Sequence, residues 1–154
     1  MNDPARMYRE AAVRYASPVG LVVILYEEVI RSLRRGHQAF QQNLVEQRCL
    51  SLTHAIQVIG HLQGVLDFEK GVEVAQNLSN FYNVARKVIL ECNNTGNGDR
   101  LISLAADFSG LAQAWQQVDR DISKTPDTTA VQTAIPQMPM ATLNRPAQRL
   151  RVER

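Results

Sequence analysis

The sequence predicts an all-α protein: an antiparallel four-helix bundle with a short N-terminal segment and a mobile, Pro-rich C-terminal tail. Three observations support this prediction. Apolar residues recur at spacings of three and four, the period of a helix, through four long segments. No segment of useful length alternates apolar and polar residues as a half-buried strand does. Two prolines precede residue 124, whereas four lie in residues 124–154.

The composition divides the chain into three parts: an N-terminal segment (1–17), the bundle (18–123) and a tail (124–154). The tail shows no lasting periodicity. It therefore cannot bury enough apolar surface to offset the entropy lost on ordering it, and we expect it to be mobile.

The first helix is predicted to be capped by Ser17 and to run from Pro18 to about residue 43, since proline suits the first helical position. Six consecutive apolar or aromatic residues, 21–26, cover every side of this helix. One face is the expected core face: Leu21, Val22, Leu25, Val29 and Leu33. A second apolar stripe lies beside it: Val19, Val23, Tyr26 and Ile30. Together they span roughly 200°, wider than a typical surface helix needs.

The other three helices are predicted at about 45–66, 72–92 and 100–122. Residues 93–99, "NNTGNGD", form a stop and restart signal, in which Asn and Gly suit a helix end and Asp99 suits the next N-cap. Short loops between long helices favour antiparallel neighbours. Trp115 shares the apolar stripe of the fourth helix, so we expect it to be mostly buried.

Composition excludes several classes of protein. The formal net charge of +2, from 17 basic and 15 acidic residues, is too balanced to predict a nucleic-acid partner. No apolar stretch approaches the ~20 residues of a membrane span, and the N-terminus has no apolar core of a signal peptide. We therefore expect a cytoplasmic protein whose two cysteines, Cys49 and Cys92, are reduced and buried.

Catalytic and metal-binding patterns are absent from the sequence. His54 and His61 lie opposite the apolar stripe of the second helix and are expected to be solvated, without the HxxxH spacing of a metal site. Cys49 lies on the core side of that helix, so it cannot meet His54 there. Glu27 and Glu28 are expected to be solvated carboxylates. The sequence thus predicts no enzyme, no metal and no cofactor.

The surplus apolar surface of the first helix has two interpretations. The helix can be central and packed against its neighbours, or its second stripe can line a groove for a partner. Gly60 and Gly64, four residues apart on the second helix, have two interpretations as well: close packing within the bundle, or a notch for a partner backbone. A structural bundle that uses the second stripe to bind itself is the alternative function.

Several short motifs, in this order and spacing, resemble the family of the flagellar export chaperone FliS. The resemblance covers about residues 7–120. The motifs are Ala16-Ser17-Pro18, Leu25-Tyr26-Glu27, Leu66-Asp67-Phe68-Glu69, Asn77-Leu78 with Tyr82, and Ala114-Trp115.

The resemblance implies a cytoplasmic chaperone that holds the disordered C-terminal segment of flagellin, prevents premature polymerisation and delivers flagellin to the type III export apparatus. It also implies contacts with the export apparatus and other flagellar regulators. The balanced charge and the lack of a membrane-spanning stretch predict that neither nucleic acid nor membrane is a partner. Met7 and Tyr8 are expected to cover part of the partner site in the free chaperone. Combined with the surplus apolar stripe and the two glycines, it indicates these partner-binding residues: Val19, Val23, Tyr26, Ile30, Gly60, Gly64, Leu78 and Tyr82.

Overall fold

The computed structural model describes residues 3–7, 10 and 17–124. Within these residues it contains four long helices and no strand, which confirms the all-α bundle. The helices are α1 (Pro18–Gln41), α2 (Val45–Gly64), α3 (Val72–Thr95) and α4 (Asp99–Lys124). Residues 4–7 form one further helical turn. The tail that was expected to be mobile lies outside the described residues, apart from the last residue of α4.

The helix ends follow local sequence signals. Ser17 caps α1, because its Oγ accepts a hydrogen bond from the Gly20 N–H at 2.9 Å. Gly96 ends α3 in the left-handed conformation, with φ of 71°. Asp99 lies inside α4 instead of capping it. The side chain of Asn97 accepts a hydrogen bond from the Asp99 N–H at 3.0 Å and so stabilises the turn that leads into α4.

Contacts between helix ends establish the antiparallel arrangement. The Ser17 Oγ, at the start of α1, donates to Asp119 Oδ1 near the end of α4 at 2.6 Å. Arg48 near the start of α2 donates from Nε to Asn93 Oδ1 near the end of α3 at 3.1 Å. Helix α1 packs against α2 and α4, and α3 packs against the same two helices. Helices α1 and α3 therefore face each other diagonally across the core.

The core of the bundle is aromatic at its centre. Tyr26, Phe81, Tyr82 and Phe108 are all fully or almost fully buried, and the ring centroids of Phe81 and Phe108 are 5.0 Å apart. The Tyr26 and Tyr82 hydroxyls share a hydrogen bond of 2.6 Å, which joins the two diagonal helices. Such tilted aromatic pairs stabilise a core beyond the area that they bury.

The prediction of which stripe of α1 faces the core was right only in part. Val29 and Leu33 of the expected core face are fully buried, but Val22 and Leu25 are only partly buried. Val23, Tyr26 and Ile30 of the second stripe are buried as well. The reason is that α1 packs against two neighbours and faces α3 as well, so its buried arc is centred nearer Tyr26. The interpretation of α1 as a helix packed on several sides is the one that this burial favours.

The two cysteines differ in their surroundings. Cys92 is buried in the core, as expected, and Cys49 is half-buried at the edge of α2. No helix of the described residues is both long enough and apolar enough to cross a membrane.

Candidate partner-binding groove

An apolar groove of about 190 Å³ opens at the end of the bundle where α2 turns into α3. Side chains of all four helices contribute to it. Its buried floor is formed by Leu62, Ala75, Leu78 and Tyr82. Its partly exposed walls include Val22, Leu66, Val74 and Trp115. Helices α3 and α4 make few contacts with each other, and the groove occupies part of the space between the N-terminal half of α3 and its neighbours.

The turn beside the groove is held by its own side chains and exposes apolar surface. Asp67 Oδ1 accepts hydrogen bonds from the backbone N–H groups of Glu69 and Lys70 at 3.0 and 3.1 Å, a turn that an Asp side chain commonly stabilises. Val65, Phe68 and Val72 around this turn are about half exposed. An apolar patch that continues into an apolar groove is typical of a site that binds another protein.

Three polar groups lie at or beneath the groove floor. They are the hydroxyls of Tyr26 and Tyr82 and the indole N–H of Trp115. Burial raises the pKa of Tyr26 to about 12, against smaller opposing effects of Tyr82 and Trp115. Burial raises the pKa of Tyr82 as well. The Trp115 N–H is buried, and within the part of the chain that the structure describes it has no hydrogen-bond partner of normal geometry.

The structure brings only some of the predicted partner-binding residues to the groove. Leu78 and Tyr82 line it. Val23, Tyr26 and Ile30 are buried in the bundle, and Val19 is partly exposed near the start of α1. Their role in binding a partner stays a prediction, but Tyr26 has no exposed surface with which to make a direct contact.

The two glycines of α2 do not serve close packing inside the bundle. A Cβ at Gly60 would have only Arg86 Nη2 near it, at 3.7 Å, and a Cβ at Gly64 would have no heavy atom within 4 Å. Neither glycine is therefore needed for close packing against the residues that the structure describes, and that interpretation is wrong. The notch for a partner stays a prediction. Arg86 also donates to Gln63 Oε1 and so links α3 to α2.

The predicted N-terminal cover is described only in part. Met7 lies in the helical turn of residues 4–7 with 56 % of its surface exposed. Tyr8 lies outside the described residues. Whether these residues cover the groove stays a prediction.

Several groove residues were not predicted as partner-binding: Val22, Leu62, Leu66, Val74 and Trp115. Each is an apolar residue at a helical spacing, so its sequence pattern is that of an ordinary core residue. One feature of the sequence could have indicated a binding site. Leu62, Leu66 and Val74 flank the charged turn "DFEKG", where one helix ends and the next begins, so their side chains have fewer neighbours there than in the middle of the bundle.

A polar cluster joins α1 to α2 away from the groove. Glu28 accepts hydrogen bonds from Arg31 Nη2 at 2.5 Å and from His54 Nε2, whose tautomer is assigned accordingly, at 2.9 Å. Partial burial acts to raise the pKa of Glu28, but the hydrogen bonds from Arg31 and His54 outweigh it, so the pKa is lowered. Glu28, with 22 % of its side chain exposed, is therefore not the solvated carboxylate that was predicted. His54 keeps 45 % of its side chain exposed, as predicted, but it is also bonded to Glu28 between the helices.

No group of three or more His, Cys, Asp or Glu side chains within residues 3–7, 10 and 17–124 is arranged to hold a metal ion.

Comparisons with known proteins relate the chain to flagellar chaperones. The family model described as "Flagellar protein FliS" matches residues 1–122. A flagellar secretion chaperone FliS from Campylobacter jejuni is 31% identical over 111 residues, which cover 72% of this chain and 87% of the relative. The protein of the same name from Salmonella typhimurium is 31% identical over 115 residues, 74% of this chain and 85% of the relative. The protein of that name from Bacillus subtilis is 20% identical over 117 residues, which cover 76% of this chain and 86% of the relative.

Proposed function

The chain belongs to the FliS family of flagellar secretion chaperones, and on that premise we propose that it binds the disordered C-terminal segment of flagellin in the apolar groove. It acts in flagellar export as a chaperone and is not an enzyme. In the cytoplasm the bound segment is kept from premature polymerisation, and the complex supports delivery of flagellin to the flagellar type III export apparatus.

The observation that carries the proposal is the groove itself. It is apolar, it is open, and it continues into the exposed residues Val65, Phe68 and Val72. Its volume of about 190 Å³ is close to the ~150 Å³ of a cavity that holds benzene, so it accommodates one large apolar side chain or two small ones. The rest of a bound segment must then lie across the apolar turn.

A disordered segment suits this site for an energetic reason. A segment that folds on binding loses conformational entropy at that moment, which lowers its affinity for each unit of buried area. A few apolar anchors in a small groove therefore give a complex that is stable in the cytoplasm and can still release flagellin at the export apparatus.

The N-terminal segment supplies a cover for the same surface in the free protein. Met7 is more than half exposed, so any contact that it makes is weak. A weak contact suffices, because a cover that lowers apparent affinity tenfold requires only about 1.4 kcal/mol of docking free energy.

The proposal is tested by calorimetric titration of the full chain with a peptide of the flagellin C-terminal segment. Val65→Asp places a charge beside the groove and should weaken binding at least tenfold. Leu90→Asp is the matched control. Leu90 is 52 % exposed, against 59 % for Val65, and it lies on α3 away from the groove. Binding that is unaffected by Val65→Asp, or reduced equally by both changes, would contradict the groove as the site.

Trp115 provides a second measurement. It is the single tryptophan of the chain and it lines the groove. Binding of a flagellin peptide that contains no tryptophan should therefore shift the fluorescence emission of Trp115. Sedimentation of the free protein separates this function from the alternative of a self-associating bundle, which would sediment at twice the mass of 17.3 kDa.

A further inference from the structure

The last helix ends on the same side of the molecule as the apolar groove. Helix α4 ends at Lys124. Its end lies beside the start of α1, because the Ser17 Oγ donates to Asp119 Oδ1 at 2.6 Å. In this antiparallel bundle α2 also turns into α3 at that end, where the groove opens. Trp115 of the groove wall precedes Lys124 by nine residues, or about 14 Å along the helix.

The C-terminal tail is long enough to return to the groove. Residues 125–154 follow α4 in the sequence. An extended chain spans about 3.3 Å for each residue, so residues 125–134 alone can cover more than twice the distance back to Trp115. The family model ends at residue 122, so the tail lies beyond the part of the chain that matches the family.

One segment of the tail fits an apolar groove. Residues 128–144 contain no charged side chain, and within them "IPQMPM" places Pro136 and Pro139 at the PxxP spacing. Such segments favour the polyproline II conformation, which has three residues per turn, so Ile135 and Met138 would project on the same side. Grooves lined by aromatic side chains bind PxxP segments, because a segment that is already extended loses little entropy on binding.

The groove supplies aromatic surface for such a segment. Trp115 and Tyr82 line it, and Phe68 of the adjoining turn is 46 % exposed. A methionine side chain adapts to irregular gaps, and its sulfur makes favourable contacts with aromatic rings. The groove volume of about 190 Å³ accommodates one large side chain such as that of Met138.

The charges beside the groove are complementary to those that follow the PxxP segment. Residues 67–73 of the turn carry three acidic side chains and one basic side chain, and Glu69 and Glu73 are exposed. Residues 145–154 carry four arginines and one glutamate. With the PxxP segment in the groove, the basic end of the tail lies within reach of the acidic turn, and the two attract each other.

We infer that residues 135–140 of the tail occupy the apolar groove of their own chain when no partner is bound. The occupied groove exposes less apolar surface, which otherwise favours association. Because the tail is tethered, its effective concentration at the groove is on the order of 1 mM, so weak docking is enough to fill the site. The consequence that the tail competes with flagellin rests on the function proposed above.

The first test records the methyl resonances of the full chain labelled with methyl-¹³C methionine. Met138 and Met140 both lie in the segment. Ring currents of the groove aromatics should shift at least one of their resonances upfield of the position for an exposed methionine. Val65→Asp, in the groove, should abolish the shift. Leu90→Asp, on α3 away from the groove, is the matched control and should retain it.

Three outcomes of this test would overturn the inference. Unshifted Met138 and Met140 resonances would mean that the tail does not enter the groove. A shift confined to Met7 would mean that the N-terminal segment occupies it instead. Shifts that vanish on dilution would mean that the tail fills the groove of a second copy.

The second test measures the competition by calorimetric titration with the flagellin C-terminal peptide. A tail that docks with a dissociation constant of about 0.1–0.5 mM lowers the apparent affinity for the peptide about three- to tenfold at an effective concentration of about 1 mM. Met138→Asp places a charge against the apolar groove and should restore this factor. Thr128→Asp adds the same charge to the tail outside the segment and should leave the affinity unchanged.

The two tests separate this inference from the proposed function. If the unmodified protein does not bind the peptide, the proposed function fails, but the methionine resonances still decide whether the tail docks. If the tail docks and Met138→Asp binds the peptide no more tightly than the unmodified protein, the competition is wrong. An equal gain in both tail variants would show that added charge alone is responsible, and would also contradict the competition.

Discussion

The two ends of the bundle are packed in opposite ways. At the closed end, where α1 turns into α2 and α3 into α4, glycines allow helices to touch. A Cβ at Gly36 would lie 2.8 Å from Leu52 Cδ2, and a Cβ at Gly98 would lie 2.5 Å from Phe40 Cδ2. At the groove end, a Cβ at Gly64 would meet no heavy atom within 4 Å. Gly36 and Gly98 thus lie where neighbouring side chains touch the backbone, whereas Gly64 faces open space.

This difference shows how a small bundle divides stability and binding between its ends. Close packing at the closed end supplies van der Waals contacts that a void would forfeit. At the groove end the side chains are apolar but incompletely packed, so part of the hydrophobic free energy is left for a partner to gain. Close packing and an open binding groove cannot occur at the same end of the bundle, because side chains that packed closely there would fill the groove.

The largest effect that distinguishes the two ends is a leucine truncation. Leu52, at the closed end, is 2 % exposed and contacts Gly36, so Leu52→Ala should lower the free energy of unfolding by about 2–5 kcal/mol. Leu66→Ala, in the groove wall, removes the same atoms from a half-buried site and should lower it by less than half as much. Urea unfolding of the free protein measures both, and similar losses would refute the division.

The periodicity of apolar residues predicts where the helices lie, but it does not predict how closely they pack. It predicted four helices whose ends lie within about three residues of those in the structure, because the helical period and the cap residues are signals of the local sequence. It did not predict that Tyr26 faces the centre while Val22 faces a groove. A helical wheel gives the direction of a side chain but not the distance to the next helix, and that distance separates a core from a groove. The bond between Glu28 and His54 was missed for a related reason, since it joins two helices.

A pair of glycine substitutions should change stability in opposite directions. Gly98→Ala should lower the free energy of unfolding by about 1–3 kcal/mol, because the new methyl group overlaps the ring and Cβ of Phe40. Gly60→Ala, inside α2 and in ordinary contact with Arg86, should raise it by about 1 kcal/mol through helix propensity. Thermal and urea unfolding measure both changes, and a loss of stability in Gly60→Ala would mean that the bundle itself requires this glycine. If Gly60→Ala also weakened binding of the flagellin peptide, the notch interpretation would gain support.

The smallest effect concerns Glu28, which joins α1 to α2 and whose pKa in the folded protein is lowered. A carboxyl group with a lowered folded-state pKa stabilises the fold above its unfolded pKa of about 4.3, and this stability is lost as the pH falls through the folded value. The difference in unfolding free energy between the unmodified protein and Glu28→Gln should therefore be present at pH 6 and disappear toward pH 3. Solvent screens the half-exposed pair with Arg31, so we expect only about 0.2–0.5 kcal/mol at pH 6, and less in 1 M NaCl. A difference as large as that of Leu52→Ala would mean that charge, and not the packing of the closed end, dominates the stability of this bundle.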